Sequence, residues 1–120
     1  MFDHVTIRVS ERAASERFYE TIAPHAGLWL SDDEPERAQF AGASGSFSVV
    51  AGTPTEHLHM AFGASDDAAV SAFTGRLIGA GDRDNGAPAE RPVLPDGYYS
   101  GFVLDPDSNN IELVNHNRRP

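Results

Sequence analysis

The stretch Gly101-Phe-Val-Leu-Asp-Pro-Asp-Ser-Asn-Asn-Ile-Glu-Leu-Val114 predicts a strand, a tight turn and a second strand. Its first part is apolar and β-rich, and the Asp-Pro-Asp-Ser-Asn segment has the residues that stabilise turns. Ile111 and Leu113 then alternate with Asn110 and Glu112, which is typical of a strand with one buried face. Glu112 is therefore a carboxylate in an apolar strand, opposite its apolar neighbours, and we expect a binding partner on that face.

Two segments of the chain match at a fixed offset of 55 residues. The matches join His4 to His59, Ser10 to Ser65, Ala14 to Ala69, Phe18 to Phe73 and Ile22 to Leu77. Each segment has the pattern of an alternating strand, a serine N-cap and an amphipathic helix with one apolar stripe. Because the matches stay in register, they indicate an internal duplication.

The duplicated unit predicts a strand, a helix and about three further strands, twice. Helices are predicted over residues 11–22 and 66–78, with Ser10 and Ser65 as N-caps. Residues 31–36 form an acidic turn between two short strands, and one irregular strand is expected within residues 82–96. The sequence therefore predicts a single α+β domain over residues 1–120, with modules at about residues 1–52 and 56–117.

Composition excludes several classes of protein. The chain has a net charge of −9, so it should repel nucleic acid. No apolar run approaches the roughly 20 residues of a membrane span, and the N-terminus lacks the pattern of a signal peptide. The absence of cysteine excludes disulfides and thiolate metal sites and fits a cytoplasmic protein. A metal ion or a cationic ligand would be attracted by the negative charge.

His4, His59 and Glu112 share one placement in the predicted strands. Each lies on the face opposite the apolar residues that a helix can cover. Two imidazoles and a carboxylate form a ligand set for divalent Zn, Ni, Mn or Fe. The counterpart of Glu112 in the first module falls near Ser46 or Ser48, so the remaining coordination is left to water or substrate.

Other interpretations of these residues stay open. Only His59 repeats His4, so the offset favours His59 over His57, which we expect to be solvated. A lone histidine on a strand is more often structural than a ligand. Glu112 could also pair with Arg8, and both Arg8 and Arg91 could bind an anionic substrate or surface acids.

Three stretches of the chain resemble the vicinal oxygen chelate superfamily, which includes glyoxalase I, bleomycin resistance proteins, fosfomycin resistance enzymes and extradiol dioxygenases. They are Phe2-Asp-His-Val-Thr-Ile-Arg-Val9 with the Phe18-Tyr19 helix, His59-Met-Ala-Phe62, and Asp105-Pro-Asp-Ser-Asn-Asn-Ile-Glu-Leu113. The last is similar to the superfamily's closing signature, with Ser108 where glycine is usual. The resemblance implies two βαβββ modules whose mixed, curled sheets enclose a cleft, with the helices outside.

The resemblance implies a metal-dependent lyase, isomerase or dioxygenase that acts on a small oxygenated substrate. His4, His59 and Glu112 match the metal ligands, and Glu112 is also the candidate catalytic residue. A serine where the fourth ligand of glyoxalase I would fall weighs against that particular activity. Chains of this size in the superfamily often complete their sites as homodimers.

Candidate substrate-binding residues are Ser48, Tyr98, Tyr99 and Arg8. The two tyrosines precede the closing strand pair, and tyrosine hydroxyls commonly line pockets. The alternative function is that of a metal-free protein that sequesters a cationic drug, as bleomycin resistance proteins do.

Overall fold

The strands and helices follow one another in the order β-α-β-β-β, twice. The computed structural model describes residues 2–91 and 97–117. Its elements are β1 (His4–Val9), α1 (Arg12–Ile22), a 3-10 turn (Ala23–Ala26), β2 (Trp29–Glu34), β3 (Arg37–Ala41), β4 (Ser46–Ala51), β5 (His59–Gly63), α2 (Asp67–Gly79), β6 (Arg83–Arg91), β7 (Tyr98–Leu104) and β8 (Asn110–Asn115). This order confirms the predicted α+β fold of two modules. No helix in the described ranges is long and apolar enough to cross a membrane.

Each module forms a four-stranded mixed sheet, in the order β1-β4-β3-β2 or β5-β8-β7-β6. β1 pairs with β4, and β5 with β8, in parallel, while the other pairs are antiparallel. Thr6 pairs with Ser48 in the first sheet, and Ala61 pairs with Glu112 at the equivalent place in the second. Ser48 is therefore the counterpart of Glu112, and β1 and β5 are both edge strands.

Both helices begin one residue later than predicted. Glu11 is the N-cap of α1 without a side-chain hydrogen bond, whereas the Asp66 carboxylate caps α2 by accepting from Ala69 N at 2.8 Å. The assignments of Ser10 and Ser65 as N-caps were wrong. Ser10 instead donates through its backbone N–H and its hydroxyl to the Asp107 carboxylate. At Asp66, a carboxylate is favoured by the positive end of the helix dipole.

The acidic segment after Trp29 is mostly strand rather than turn. β2 runs to Glu34, and only the following two residues form the turn before β3. The Arg12 guanidinium binds the carboxylates of Glu16 and Asp33 and the carbonyl oxygen of Glu34. The partly buried Arg12 thus offsets the repulsion among these acids, an interaction that the local sequence alone did not reveal.

The two modules share one apolar core between their sheets. The Phe47 ring of β4 lies 4.9 Å from Tyr19 of α1 and 5.5 Å from Phe62 of β5, measured between centroids. The core is one continuous cluster that includes both helices and the apolar faces of both sheets. The Phe47–Phe62 pair is edge-to-face, a geometry that adds to the stabilisation from burial of apolar surface. The opposite, polar faces of the sheets consequently lie away from this core.

A buried hydrogen bond links the modules. The Tyr19 hydroxyl donates to Asp105 Oδ2 at 2.7 Å, and both side chains are almost completely buried. Burial of the hydroxyl, reinforced by the negative charge of Asp105, raises the pKa of Tyr19 well above its usual value of 10.0. Tyr19 therefore stays protonated in the folded protein at pH values where the unfolded chain would lose that proton.

We expect Tyr19→Phe to lower the free energy of unfolding at pH 7 by about 1.5–3 kcal/mol, because Asp105 loses a donor. The raised pKa contributes stability that is fully present below the unfolded pKa near 10 and is lost as pH rises further. Above that pH, stability should therefore fall less steeply in Tyr19→Phe than in the wild type. Urea denaturation between pH 7 and 11 measures both effects, with Tyr98→Phe as the control. Equal stability of Tyr19→Phe and wild type at pH 7 would contradict the link.

Candidate functional site

Glu112 and His59 form a close pair on the polar face of the second sheet. Glu112 is only 6% exposed, although its strand neighbours Ile111 and Leu113 pack into the core on the opposite face. Its Oε1 lies 2.9 Å from His59 Nε2. The His59 side chain is more than half exposed, so solvent or a ligand can reach the pair.

Glu112 differs sharply from Asp105, the other buried acid near the closing turn. Asp105 accepts hydrogen bonds from the Tyr19 hydroxyl and from the backbone N–H groups of Asp107 and Asn109. Glu112 has His59 as its one hydrogen-bond partner among residues 2–91 and 97–117. Because a buried carboxylate with few donors is costly, Glu112 has the surroundings of a ligand rather than of a structural acid.

His4 lies apart from this pair within one chain. Its side chain is 69% exposed, and its Nδ1 contacts the Asp3 carboxylate at 2.9 Å. Within the described part of the chain, no three side chains of His, Cys, Asp or Glu are grouped so that they could hold a metal. The structure therefore brings His59 and Glu112 together, while His4, the third predicted ligand, lies apart from them.

A cleft of about 1000 Å³ runs along the edge strands β1 and β5. His4 and His59 both line it, and much of its wall is apolar, including Phe2, Met60 and Phe62. The Phe2 side chain is largely exposed. The cleft thus joins the two predicted histidines in one concave surface, although their side chains do not converge on one point.

The structure separates the two adjacent tyrosines by face. Tyr98 lies on the polar face with Glu112, and its ring is 5.2 Å from the ring of His116. The Tyr99 hydroxyl lies 3.1 Å from Ser71 Oγ on α2, which places it on the helix-covered face. Only Tyr98 therefore shares the face on which a ligand of the His59–Glu112 pair would bind.

Ser48 and Arg8 lie on the polar face of the first sheet. Ser48 is 3% exposed and pairs with Thr6, so its hydroxyl takes the place that Glu112 holds in the other module. Arg8 is exposed, and its aliphatic part lies against Gly52. Arg8 forms no ion pair with Glu112 within the described residues, since the close contact of Glu112 is with His59.

His57 occupies the turn before β5 rather than the strand itself. Its φ of 58° is in the left-handed region, and its side chain is 95% exposed beside Glu56. His59, two residues later, is the first residue of β5 and pairs with Asn110. The structure thus places His59 in the strand and His57 in solvent, as the 55-residue offset predicts.

Sequence reasoning named Arg91 as a residue that could bind either an anionic substrate or surface acids, and it did not place Phe102 in the site. Phe102 pairs with Glu112 across β7 and β8, and its ring lies 5.9 Å from the His59 ring. The Arg91 guanidinium carbon lies 5.3 Å from the Phe102 ring centroid. The alternation of residues along β7 and β8 could have indicated that Phe102 lies on the same face as Glu112. The contact of Arg91 with Phe102 depends on the β6–β7 register, which the sequence does not specify.

The fold agrees with several solved structures. A glyoxalase/bleomycin resistance protein from Albidiferax ferrireducens T118 aligns with a TM-score of 0.85 and 24% identity, covering 97% of this chain and 99% of that chain. The chain has the fold of the glyoxalase/bleomycin resistance proteins. The fold of two βαβββ modules that the resemblance implied is thereby confirmed.

Two further structures with the glyoxalase/bleomycin resistance fold align over nearly the whole chain. A glyoxalase/bleomycin resistance protein/dioxygenase family enzyme from Burkholderia phytofirmans PsJN has a TM-score of 0.72 and 20% identity, covering 94% of this chain and 96% of that one. A lactoylglutathione lyase from Agrobacterium tumefaciens has a TM-score of 0.71 and 19% identity, covering 97% and 93%. No protein-family model and no curated protein sequence matches this chain.

We expect Glu112→Gln to leave the metal-free protein as stable as the wild type, or to raise its free energy of unfolding by about 1 kcal/mol. The reason is that the amide removes a buried charge that has few donors, yet it can still bond to His59. The matched control is Asp105→Asn, which should cost about 1–3 kcal/mol because the amide nitrogen in place of Oδ2 cannot accept the hydrogen of the buried Tyr19 hydroxyl. Urea denaturation in EDTA at pH 7.5 measures both variants. If Glu112→Gln loses as much as Asp105→Asn, Glu112 is a structural acid.

Proposed function

We propose that this protein is a divalent-metal-dependent enzyme of the vicinal oxygen chelate type, acting on a small oxygenated substrate. The observation that carries the proposal is the buried Glu112 carboxylate, whose one hydrogen-bond partner among the described residues is His59. An imidazole nitrogen and a carboxylate oxygen 2.9 Å apart can bind the same Zn, Ni, Mn or Fe ion. A cation there would also neutralise the buried charge.

The donor set of one chain is incomplete for such an ion. Structural and catalytic metal sites usually have at least three protein ligands, and this pair provides two. His4 is the remaining candidate, because it repeats His59 by the duplication and lines the same cleft. Ser48 at the position equivalent to Glu112 supplies no carboxylate, so water or substrate would complete the coordination.

The proposed roles of the residues follow from their placement. A bound divalent ion would supply Lewis-acid stabilisation of an oxyanion that develops on the substrate. Glu112 is fixed on a central strand by His59, and its second oxygen is available to accept a proton from the substrate. The Tyr98 hydroxyl, on the same face, can donate a hydrogen bond to a substrate oxygen. Closure of the face by a second chain would exclude water.

We propose that the active form is a homodimer, in which His4 of one chain completes the His59–Glu112 pair of the other. β1 and β5 are edge strands, and edges of this kind invite pairing with another strand. Thr55 covers the far end of β1 by bonding to the backbone of Arg8, so the edge is open at its His4 end. A partner strand in the cleft would also cover the exposed Phe2.

We expect His59→Ala and Glu112→Gln each to weaken Mn²⁺ binding at least tenfold, since each removes a side chain proposed to bind the ion directly. His57→Ala is the matched control and should bind Mn²⁺ as the wild type does, because its side chain is solvated. Isothermal titration calorimetry of untagged, EDTA-treated protein gives the affinities. The result that overturns the metal site is unchanged affinity in both ligand variants.

Mixing two inactive variants tests the shared site. In a mixed dimer, the Glu112→Gln chain supplies an intact His4, and the His4→Ala chain supplies an intact His59–Glu112 pair. One of the two proposed metal sites is therefore complete. After random exchange of chains, about half of the dimers are mixed, and each mixed dimer has one intact site out of two. About a quarter of the wild-type metal content should therefore return. Metal analysis after gel filtration measures this. No recovery from the mixture, or a monomer by light scattering, would refute the shared site.

A metal-free drug-binding protein is the second candidate, and the net charge of −9 favours it because a cationic drug would be attracted. The two functions differ in one measurement. Sequestration predicts binding of a cationic ligand in EDTA that survives Glu112→Gln with little loss. The enzyme proposal predicts tight metal binding that this substitution removes.

A further inference from the structure

Arg91 extends across the polar face of the second sheet toward the His59–Glu112 pair. It pairs with Tyr98 in the β6–β7 register, yet its guanidinium lies over the Phe102 ring, whose residue pairs with Glu112. The side chain therefore runs along the sheet and covers the intervening Ser100, which is completely buried. Its charge therefore lies over the Phe102 ring, which is also 5.9 Å from the His59 ring, and not at the edge of the sheet.

The guanidinium is held by neutral groups. Nε donates to Ser100 Oγ at 3.3 Å, and Nη2 donates to the carbonyl oxygens of Ala87 at 3.0 Å and Ser100 at 3.3 Å. These three bonds use the hydrogens of Nε and Nη2, so the two hydrogens of Nη1 have no acceptor among residues 2–91 and 97–117. The cation is thus fixed in place while part of its donor capacity remains available.

The charge of Arg91 is also not neutralised by the described residues. Arg12, Arg17 and Arg37 each form an ion pair with a carboxylate, whereas none of the described acids lies within 4.0 Å of the guanidinium of Arg8, Arg76, Arg83 or Arg91. Arg91 differs from the other three because its guanidinium lies over a ring that contacts His59. The face of the Phe102 ring attracts the cation without cancelling its charge. In a chain with a net charge of −9, a positioned cation without an acid partner indicates an anionic ligand.

We propose that Arg91 forms an anion-binding subsite beside the His59–Glu112 pair, and that the substrate carries a carboxylate or a similar anionic group near its two neighbouring oxygens. This inference rests on the proposed function, because it places the anion relative to a metal at that pair. A guanidinium can bind a carboxylate through two parallel hydrogen bonds, so the subsite would orient the substrate as well as attract it. The same charge disfavours a cationic drug on this face.

Calorimetry with the Mn²⁺-loaded protein tests the subsite with two probes of nearly equal shape, 3,4-dihydroxybenzoate and its uncharged amide, 3,4-dihydroxybenzamide. We expect the wild type to bind the anion at least about tenfold more tightly than the amide. Arg91→Gln should abolish that difference. Arg91→Lys, which keeps the charge but loses the planar fork, should retain part of it. Arg76→Gln on α2 is the control and should behave as the wild type.

Equal binding of the two probes by the wild type, or a preference for the anion that persists in Arg91→Gln, would overturn the subsite and leave the metal proposal intact. Absence of Mn²⁺ binding would instead overturn the proposed function. In that case metal-free protein is titrated with benzoate and benzamide. A preference for benzoate that Arg91→Gln removes supports the subsite, and no preference refutes it. Arg91→Lys provides the comparison if Arg91→Gln does not fold.

Discussion

The aromatic contact of Tyr19, Phe47 and Phe62 decides the arrangement of the whole molecule. It joins the apolar faces of both sheets in one core, so the polar faces must lie on the outer sides. His4 belongs to one polar face, and Glu112 belongs to the other. This packing explains why His4 and Glu112, which both lie on the polar faces of their strands, are apart in the folded chain.

The two modules have the same strand pairing but different side chains at equivalent positions. The pairs Thr6–Ser48 and Ala61–Glu112 occupy equivalent places, and only the second contains an ionisable group. The first module therefore offers a histidine and a hydroxyl, whereas the second offers a histidine and a carboxylate.

The closing turn connects stability to the site. Asp105 accepts three hydrogen bonds, one of them from α1 of the other module, and Asp107 binds Ser10 at the start of that helix. These bonds fix the beginning of β8, on which Glu112 lies seven residues after Asp105. The fully hydrogen-bonded Asp105 thus helps to position Glu112, which has few hydrogen-bond donors around it. Local strain in the turn is limited to Ser108, whose φ of 67° explains why glycine would be favoured there.

The sequence by itself determined the modules, the faces and the choice of His59 over His57. Each depends on short-range periodicity or on the 55-residue offset, which are properties of the chain alone. It placed the helix starts one residue early and read an acidic strand as a turn, because Asp107 and Arg12 act on those segments from distant positions. Only the tertiary structure separated Tyr98 from Tyr99, divided His4 from Glu112 and brought Arg91 over Phe102. Those outcomes depend on strand register and on which faces the shared core covers, and neither is encoded in the pattern of a single strand.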